Sequence, residues 1–311
     1  MHGIKGDTMD EEALETTVNL FEVKIFIESD FNGILFTGKL VKSLLIDANP
    51  KLKPLFRKER GALPKLIHIT PLYREKDKKC IYSWAELDEK KRVRRVHKVS
   101  LNGFYSFYLG FIETQHNDLL TFDNVYNAIL NISGKHKFKK NIINVEFLSA
   151  QQYDILLYAR QVIKDLLRKR KAKIVFSSPT LLRDPIRTSK YKSLVPNPIN
   201  VFSTPIYIYL YLRGSLRTKL FKTMCTMLHR IFNETYSLYK TTKIRWIIYN
   251  ENKNPIPTII GYVNFYLNED YYERYNRMIN LETYLQKILE IIMTLGTGTS
   301  RATGFGHISI S

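Results

Sequence analysis

The sequence predicts an α+β fold that consists of two ferredoxin-like (RRM-like) domains in tandem, each with the element order β-α-β-β-α-β. Two patterns support this prediction. Apolar side chains alternate where strands are expected and recur every three to four residues where helices are expected. In both halves these patterns follow one another in the order β-α-β-β-α-β. The domains are predicted to span residues 19–150 and 173–311, joined by a basic connection over residues 151–172. Residues 1–18 contain no apolar run and are expected to be disordered or left over from cloning.

The first half begins with an alternating strand and an amphipathic helix, over residues 20–27 and 37–46. Thr37 can cap this helix, and Pro50 and Pro54 end it. The remaining elements are predicted as strands over 65–72, 80–86 and 100–111, a short helix over 124–131 and a strand over 141–148. A dense basic run at 90–98 separates two of these strands.

The second half repeats this order loosely. Its predicted elements are a strand over 173–176, a helix over 215–231, strands over 244–249 and 259–267, an amphipathic helix over 281–295 and a strand over 305–310. Residues 183–198 are polar and basic and are expected to form a loop. The tyrosines between 205 and 211 alternate as in a strand, and we expect them to pack in the core and the sheet rather than stack on bases.

The net charge of +19 over 311 residues indicates a polyanionic partner, which could be RNA, DNA or an acidic membrane surface. No run of 18 apolar residues occurs, so we expect no transmembrane helix, no membrane partner and a cytoplasmic protein. Cys80 and Cys225 are the only cysteines and do not indicate a disulfide framework. No carboxylate cluster or His/Cys spacing suggests a metal site, and no cofactor is expected.

A glycine-rich stretch lies near the end of the chain, over residues 296–306. It contains four glycines and one arginine in the order Gly-x-Gly, five residues, Gly-x-Gly: Gly296, Gly298, Arg301, Gly304 and Gly306. Exposed N–H groups in such a loop can form an anion-binding nest, and the arginine adds a positive charge, so the stretch predicts a phosphate-binding loop. The alternative is a flexible connector. A Rossmann loop is excluded because the stretch follows a helix and precedes a strand.

Four segments resemble the RAMP superfamily. The glycine-rich stretch resembles the RAMP signature, and residues 173–182, with their Ser-Pro-Thr-Leu-Leu run, resemble the strand that opens the second RAMP domain. Residues 36–42 and 65–70 resemble the first helix and second strand of the archaeal repeat-processing branch. Together the segments span the ordered chain, and the sequence resembles the CRISPR repeat-cleaving endoribonucleases of this superfamily.

The resemblance implies an enzyme that cuts the repeat of a long precursor CRISPR RNA without a metal. The ribose 2′-OH attacks the adjacent phosphate, which gives 5′-OH and cyclic phosphate products. Many members use a histidine near the first helix, but this sequence has no histidine between residues 21 and 67. Some archaeal members use lysines instead, and the matching positions, predicted as catalytic, are Lys39, Lys42 and Lys65.

The acid–base chemistry of lysine is compatible with a catalytic role but leaves other roles for these side chains open. A lysine with an ordinary pKa of about 10.4 is an acid, but neighbouring cations can lower that value. Lys39 and Lys42 share one face of the predicted helix, which is compatible either with gripping a phosphate or with a solvated basic surface. His68 lies on the opposite strand face from Lys65 and is expected to be packed or hydrogen-bonded. His307 is expected at a surface strand position, with RNA contact as the alternative.

The glycine stretch and Arg301 are therefore predicted to hold RNA rather than to perform the chemistry, together with Arg168, Lys169 and Arg170 of the basic connection. RRM-like units often present a sheet face to RNA. The predicted partner is CRISPR repeat RNA, with a homodimer and a CRISPR effector complex as further possible assemblies. Two other functions stay open: a non-catalytic RAMP subunit that binds guide RNA, and an RNA-binding module unrelated to CRISPR.

Overall fold

The computed structural model describes residues 16–57, 63–115, 117–138, 141–187, 192–234, 238–251 and 254–311. The elements of the first half are β1 (Thr16–Glu28), β2 (Asn32–Gly33), α1 (Thr37–Ala48), α2 (Lys53–Phe56), β3 (Ile67–Ile69), β4 (Tyr73–Arg74), β5 (Trp84–Leu87), β6 (Val93–His97), β7 (Val99–Ser100), β8 (Gly103–Thr114), α3 (Phe122–Leu130), β9 (Gly134–Phe138) and β10 (Asn141–Gln152). Residues 1–15 lie outside the described residues, and β1 begins at Thr16, within the segment expected to be disordered.

The elements of the second half are α4 (Ile155–Lys169), β11 (Lys171–Thr180), β12 (Leu182–Arg183), β13 (Lys192–Ser193), α5 (Pro198–Leu212), α6 (Thr218–Ile231), β14 (Phe232–Glu234), α7 (Leu238–Thr241), β15 (Thr242–Ile247), β16 (Ile256–Leu267), α8 (Glu269–Asn276), α9 (Leu281–Leu295) and β17 (Ile308–Ile310). None of the described helices is long and apolar enough to cross a membrane.

Both sheets have the strand order of a ferredoxin-like fold. The first sheet is ordered β3-β8-β1-β10-β9, and the second contains β17-β11-β16-β15. In each sheet the first strand of the β-α-β-β-α-β unit lies between the third and the fourth, and every pairing is antiparallel. The predicted tandem ferredoxin-like fold is therefore confirmed.

The hairpin β5–β6 crosses from the first half to the second. It extends the second sheet because Trp84 and Ala85 pair with Ile247 and Trp246 of β15. The sequence predicts strand character for residues 80–86, but the hydrophobic pattern does not show which sheet this strand joins. The basic run at 90–98 forms the turn of the hairpin and β6. The pairing of β5 with β15 joins the two halves through backbone hydrogen bonds.

Helix α9 lies between the two sheets and is buried on all sides from Ile288 to Leu295. Its packing against the first sheet is so close that a Cβ on Gly110 of β8 would lie 2.0 Å from the carbonyl oxygen of Thr294. Glycine at position 110 therefore allows the helix backbone to contact the strand. The polar Glu290 is buried within this helix and accepts hydrogen bonds from Gln286 and Lys287.

Residues 198–212 form helix α5, so the strand-like interpretation of its tyrosines is wrong. The helix is buried on nearly all sides, and such a continuous apolar run lacks the polar face that reveals helical periodicity. The signals for a helix are at its start: Asn197 accepts a hydrogen bond from the backbone N–H of Asn200, and Pro198 occupies the first helical position. Within the expected loop at 183–198, β12 and β13 form a short two-stranded sheet.

Candidate functional site

The start of helix α1 packs against the glycine-rich loop of the other half. A Cβ on Gly38 would lie 2.4 Å from the carbonyl oxygen of Thr303, and the rings of Phe36 and Phe305 stack with their centroids 4.4 Å apart. Thr37 does not cap the helix as predicted. Its hydroxyl instead donates to Ile81 O and accepts from the Leu72 N–H, because the helix start is buried at this junction.

Most backbone N–H groups of the glycine-rich loop already donate within the protein. The Gly298 N–H donates to Thr204 Oγ1 at 3.1 Å, and the N–H groups of Thr299 and Gly306 donate to backbone carbonyls at 2.8 and 3.0 Å. The left-handed φ angles of Gly296, Gly298, Gly304 and Gly306 shape this turn against the neighbouring backbone. The bonded amides do not form the anion-binding nest that the glycine spacing predicts, because they close the loop against the protein.

Arg301 is buried in the same loop and links the two halves. Its guanidinium donates to Leu295 O at 2.9 Å and to Lys65 O at 3.0 Å. Burial lowers the pKa of Arg301 to about 10, so the side chain is still charged at neutral pH. Both hydrogen bonds stabilise the contact between the end of α9 and the segment before β3.

Two stacked histidines lie next to Arg301. His68 is fully buried and packed, as predicted: its Nδ1 lies 3.0 Å from Arg301 O, and its ring lies 5.5 Å from that of His307. His307 is buried under Tyr108, at 4.9 Å between ring centroids, and not at the expected surface position. Burial lowers the pKa of both histidines, that of His307 to about 4, so both rings are neutral at physiological pH.

Lys42 and Lys65 meet at one turn of backbone, the end of α2. Lys42 Nζ donates to Phe56 O at 3.2 Å, whereas Lys65 Nζ donates to Leu55 O at 2.8 Å and also to Arg57 O. These carbonyls lie at the C-terminus of the helix, where a positive charge is favourable. Burial also lowers the pKa of Lys42 below its ordinary value.

Lys39 lies one helical turn before Lys42 and reaches the second half. Its Nζ lies 3.9 Å from the ring centroid of Tyr249 and donates to Asn250 Oδ1. The loop after β15 that carries these two residues is 211 positions away in sequence, and no spacing in the chain indicates this contact. The structure therefore brings Lys42 and Lys65 to one turn, while Lys39 contacts the other half from the same helix.

The basic residues at the end of α4 are exposed, and each has a carboxylate partner. Arg168 and Lys169 lie 2.9 and 3.2 Å from the Asp165 carboxylate, and Arg170 lies 3.0 Å from Glu269. Surface ion pairs of this kind are weak, so the side chains can exchange these partners for phosphates.

Comparison with known proteins supports the fold assignment. No family model and no curated protein matches the chain. Among solved structures, it is similar to a Thermus thermophilus Cas6 in a product complex, with 12% identity, a TM-score of 0.57, and coverage of 96% of this chain and 100% of that one. It is also similar to a RAMP protein described as binding different RNA substrates, with 13% identity, a TM-score of 0.51, and coverage of 94% and 99%.

Both similarities extend over nearly the whole of each chain. At these identities they establish the fold, and they agree with the resemblance that the glycine-rich stretch and residues 173–182 predict. The protein therefore has the double ferredoxin-like fold of the Cas6 and RAMP proteins.

Proposed function

We propose that the protein is a metal-independent endoribonuclease that cleaves CRISPR repeat RNA within its precursor transcript. The observation that carries this proposal is the position of Lys42 and Lys65, whose ammonium groups donate to the carbonyls of adjacent residues at the end of α2, with Lys39 one helical turn before Lys42. The similar Cas6 structure is a product complex, and the similar RAMP protein binds different RNA substrates, both of which agree with the proposal. The proposed setting is the cytoplasm, with a homodimer or a CRISPR effector complex as possible assemblies.

Cleavage by the neighbouring 2′-OH requires proton removal from that hydroxyl, stabilisation of a phosphorane dianion and protonation of the 5′ oxygen. Lys42 is the best placed for proton transfer because burial lowers its pKa toward the working pH. Its bond to Phe56 O is long, at 3.2 Å, so it can be exchanged for a bond to substrate. Lys39 and Lys65 then supply positive charge to the phosphate, which yields 5′-OH and 2′,3′-cyclic phosphate ends.

The first test is incubation of the protein with labelled repeat RNA in EDTA. A single cut, blocked by a 2′-deoxy nucleotide at the scissile position, supports the proposal. Loss of cutting in EDTA that added magnesium restores would contradict the metal-independent mechanism.

The second test replaces each lysine by alanine under single-turnover conditions. Lys42→Ala should lower the rate by about 100-fold or more, the range of general acid–base contributions. The exposed Lys51→Ala and Lys53→Ala, which lie nearby in sequence, are matched controls and should keep the rate. Full activity of all three catalytic variants would refute the assignment.

A non-catalytic RAMP subunit that binds guide RNA is the second candidate. The observation that favours it is that Lys39, Lys42 and Lys65 all have acceptors within the protein, so the lysines could stabilise α1 and α2 rather than react. Tight, repeat-specific binding without a cut would support this candidate. Binding that is indifferent to the repeat sequence would instead indicate a general RNA-binding module.

A further inference from the structure

The second sheet has one face that the helices do not cover. Its buried face carries Ile174, Phe176, Val263 and Phe265, each at most 4% exposed. The alternate positions of the two central strands form what we call the open face: Lys171, Lys173 and Val175 on β11, and Tyr262, Asn264 and Tyr266 on β16. These side chains are exposed or half-buried, with Tyr266 at 46% exposure.

The open face alternates cations with aromatic rings. Lys171 is paired directly with Tyr266, and Lys173 with Asn264. Lys173 Nζ lies 4.4 Å from the ring centroid of Tyr262, and Lys171 Nζ lies 5.7 Å from that of Tyr266. None of the six positions carries a carboxylate, and the neighbouring strand contributes Ser309 opposite Val175. The charge of this face is therefore complementary to a polyanion.

We propose that the open face binds a single-stranded segment of RNA. Tyr262 and Tyr266 each stack on one base, and Lys171 and Lys173 contact the phosphates between them. The two tyrosines are four residues apart on one strand, about 13 Å, so they meet different bases. A double helix does not fit this arrangement because its bases are already stacked and paired.

The relative strengths of the two contacts favour replacement of the lysine by an RNA base on each tyrosine ring. A base stacked on an aromatic side chain contributes more binding free energy than a lysine placed over an exposed ring. RNA can therefore displace the ammonium groups from the rings, and each displaced group then pairs with a phosphate. The proposal rests on the proposed function for the identity of the RNA, while the binding itself follows from the chemistry of the face.

The test measures binding of an unstructured RNA oligonucleotide that carries 2′-deoxy sugars at every cleavable position. Tyr262→Ala and Tyr266→Ala should each weaken binding about tenfold, whereas Tyr262→Phe and Tyr266→Phe keep the ring and should bind like the parent. Tyr207→Ala is the matched control, because this tyrosine is 38% exposed on α5, away from the open face. Circular dichroism and thermal unfolding check that each variant is folded.

The lysines are tested by the salt dependence of binding. The double variant Lys171→Ala/Lys173→Ala should lower the slope of log affinity against log salt by about 1.4, since each phosphate contact on a single strand contributes about 0.7. The double variant Lys219→Ala/Lys222→Ala removes the same charge from the exposed face of α6. It should lower the slope less than the Lys171→Ala/Lys173→Ala variant does.

The outcomes separate this inference from the proposed function. Parental affinity in both tyrosine-to-alanine variants would overturn the inference, and it is the result expected if the face instead binds an acidic protein. An equal loss of affinity for duplex RNA would overturn the single-strand assignment. Loss of binding in these variants, together with a parent protein that never cuts repeat RNA in EDTA, would support the inference while refuting the nuclease proposal.

Discussion

Replacement of Arg301 by alanine distinguishes a structural role of the glycine-rich loop from RNA binding. The guanidinium is buried and makes two hydrogen bonds to backbone carbonyls, one at the end of α9 and one at Lys65. Hydrogen bonds from a charged group contribute about 1.5–3 kcal/mol each. The variant should therefore lose about 3–6 kcal/mol of the free energy of unfolding, a large part of the 5–15 kcal/mol that is usual for a protein.

The assay is urea unfolding followed by circular dichroism, with RNA affinity measured in parallel on the folded protein. Arg301→Lys keeps the charge, but one ammonium group cannot reproduce the planar fork, so it should recover only part of the loss. Arg168→Ala is the matched control, because this exposed arginine forms a surface ion pair with Asp165. We expect Arg168→Ala to change stability by less than about 1 kcal/mol and to weaken RNA binding.

The opposite result would refute this reasoning. If Arg301→Ala unfolds at the parental urea concentration but binds RNA less tightly, the side chain is an RNA contact, as the glycine spacing alone predicts. Equal effects on stability in Arg301→Ala and Arg168→Ala would show that the two buried hydrogen bonds contribute nothing beyond a surface ion pair.

Three further predictions follow from packing and protonation. Gly110→Ala should destabilise the protein by at least about 1–3 kcal/mol, because the added methyl group overpacks against Thr294 O. The control Gly33→Ala should cost less, because its added methyl group meets only a side-chain ring. Equal urea midpoints for the two variants would contradict this prediction. His307, with a folded pKa of about 4 against an ordinary 6.5, is neutral in the folded protein, so stability should fall by about 3 kcal/mol as the pH drops from 6.5 to 4. His307→Phe should reduce that loss in urea titrations, while His68, whose pKa burial also lowers, keeps its own contribution; an unchanged pH dependence would exclude His307 as a source. The ε-carbon NMR signal of Lys42 should titrate below the ordinary pKa of 10.5, and an ordinary midpoint would remove the reason for choosing it as the proton-transfer group.

The fold is well determined by local pattern. Alternation over residues 20–27 and 141–148, and helical spacing over 281–295, each correspond to an element of the predicted type. The error at α5 has a physical cause: a helix that is buried on nearly all sides shows no polar face, so periodicity does not distinguish it from a buried strand. The sheet that the hairpin β5–β6 joins is likewise not encoded locally, because strand pairing depends on which partner edge is free in space.

The candidate site was predicted only in part. The helix spacing places Lys39 and Lys42 on one face, but their partners come from distant segments: Phe56 O for Lys42 and Asn250 for Lys39. Neither partner has a sequence signal, because a backbone carbonyl is the same in every residue and a single asparagine in a loop is common. Their roles in catalysis stay predictions until the variants are measured.

The sequence by itself determines the two β-α-β-β-α-β units, the basic charge and the position of the glycine-rich stretch, since these depend on side-chain period, composition and local backbone freedom. The tertiary structure decides what that stretch contacts. Most of its amides and the Arg301 side chain are bonded within the protein because α9, the start of α1 and the segment before β3 meet there. The same packing leaves the tyrosines and lysines of the open face to solvent, since covering one face of a sheet with helices leaves the other free to bind.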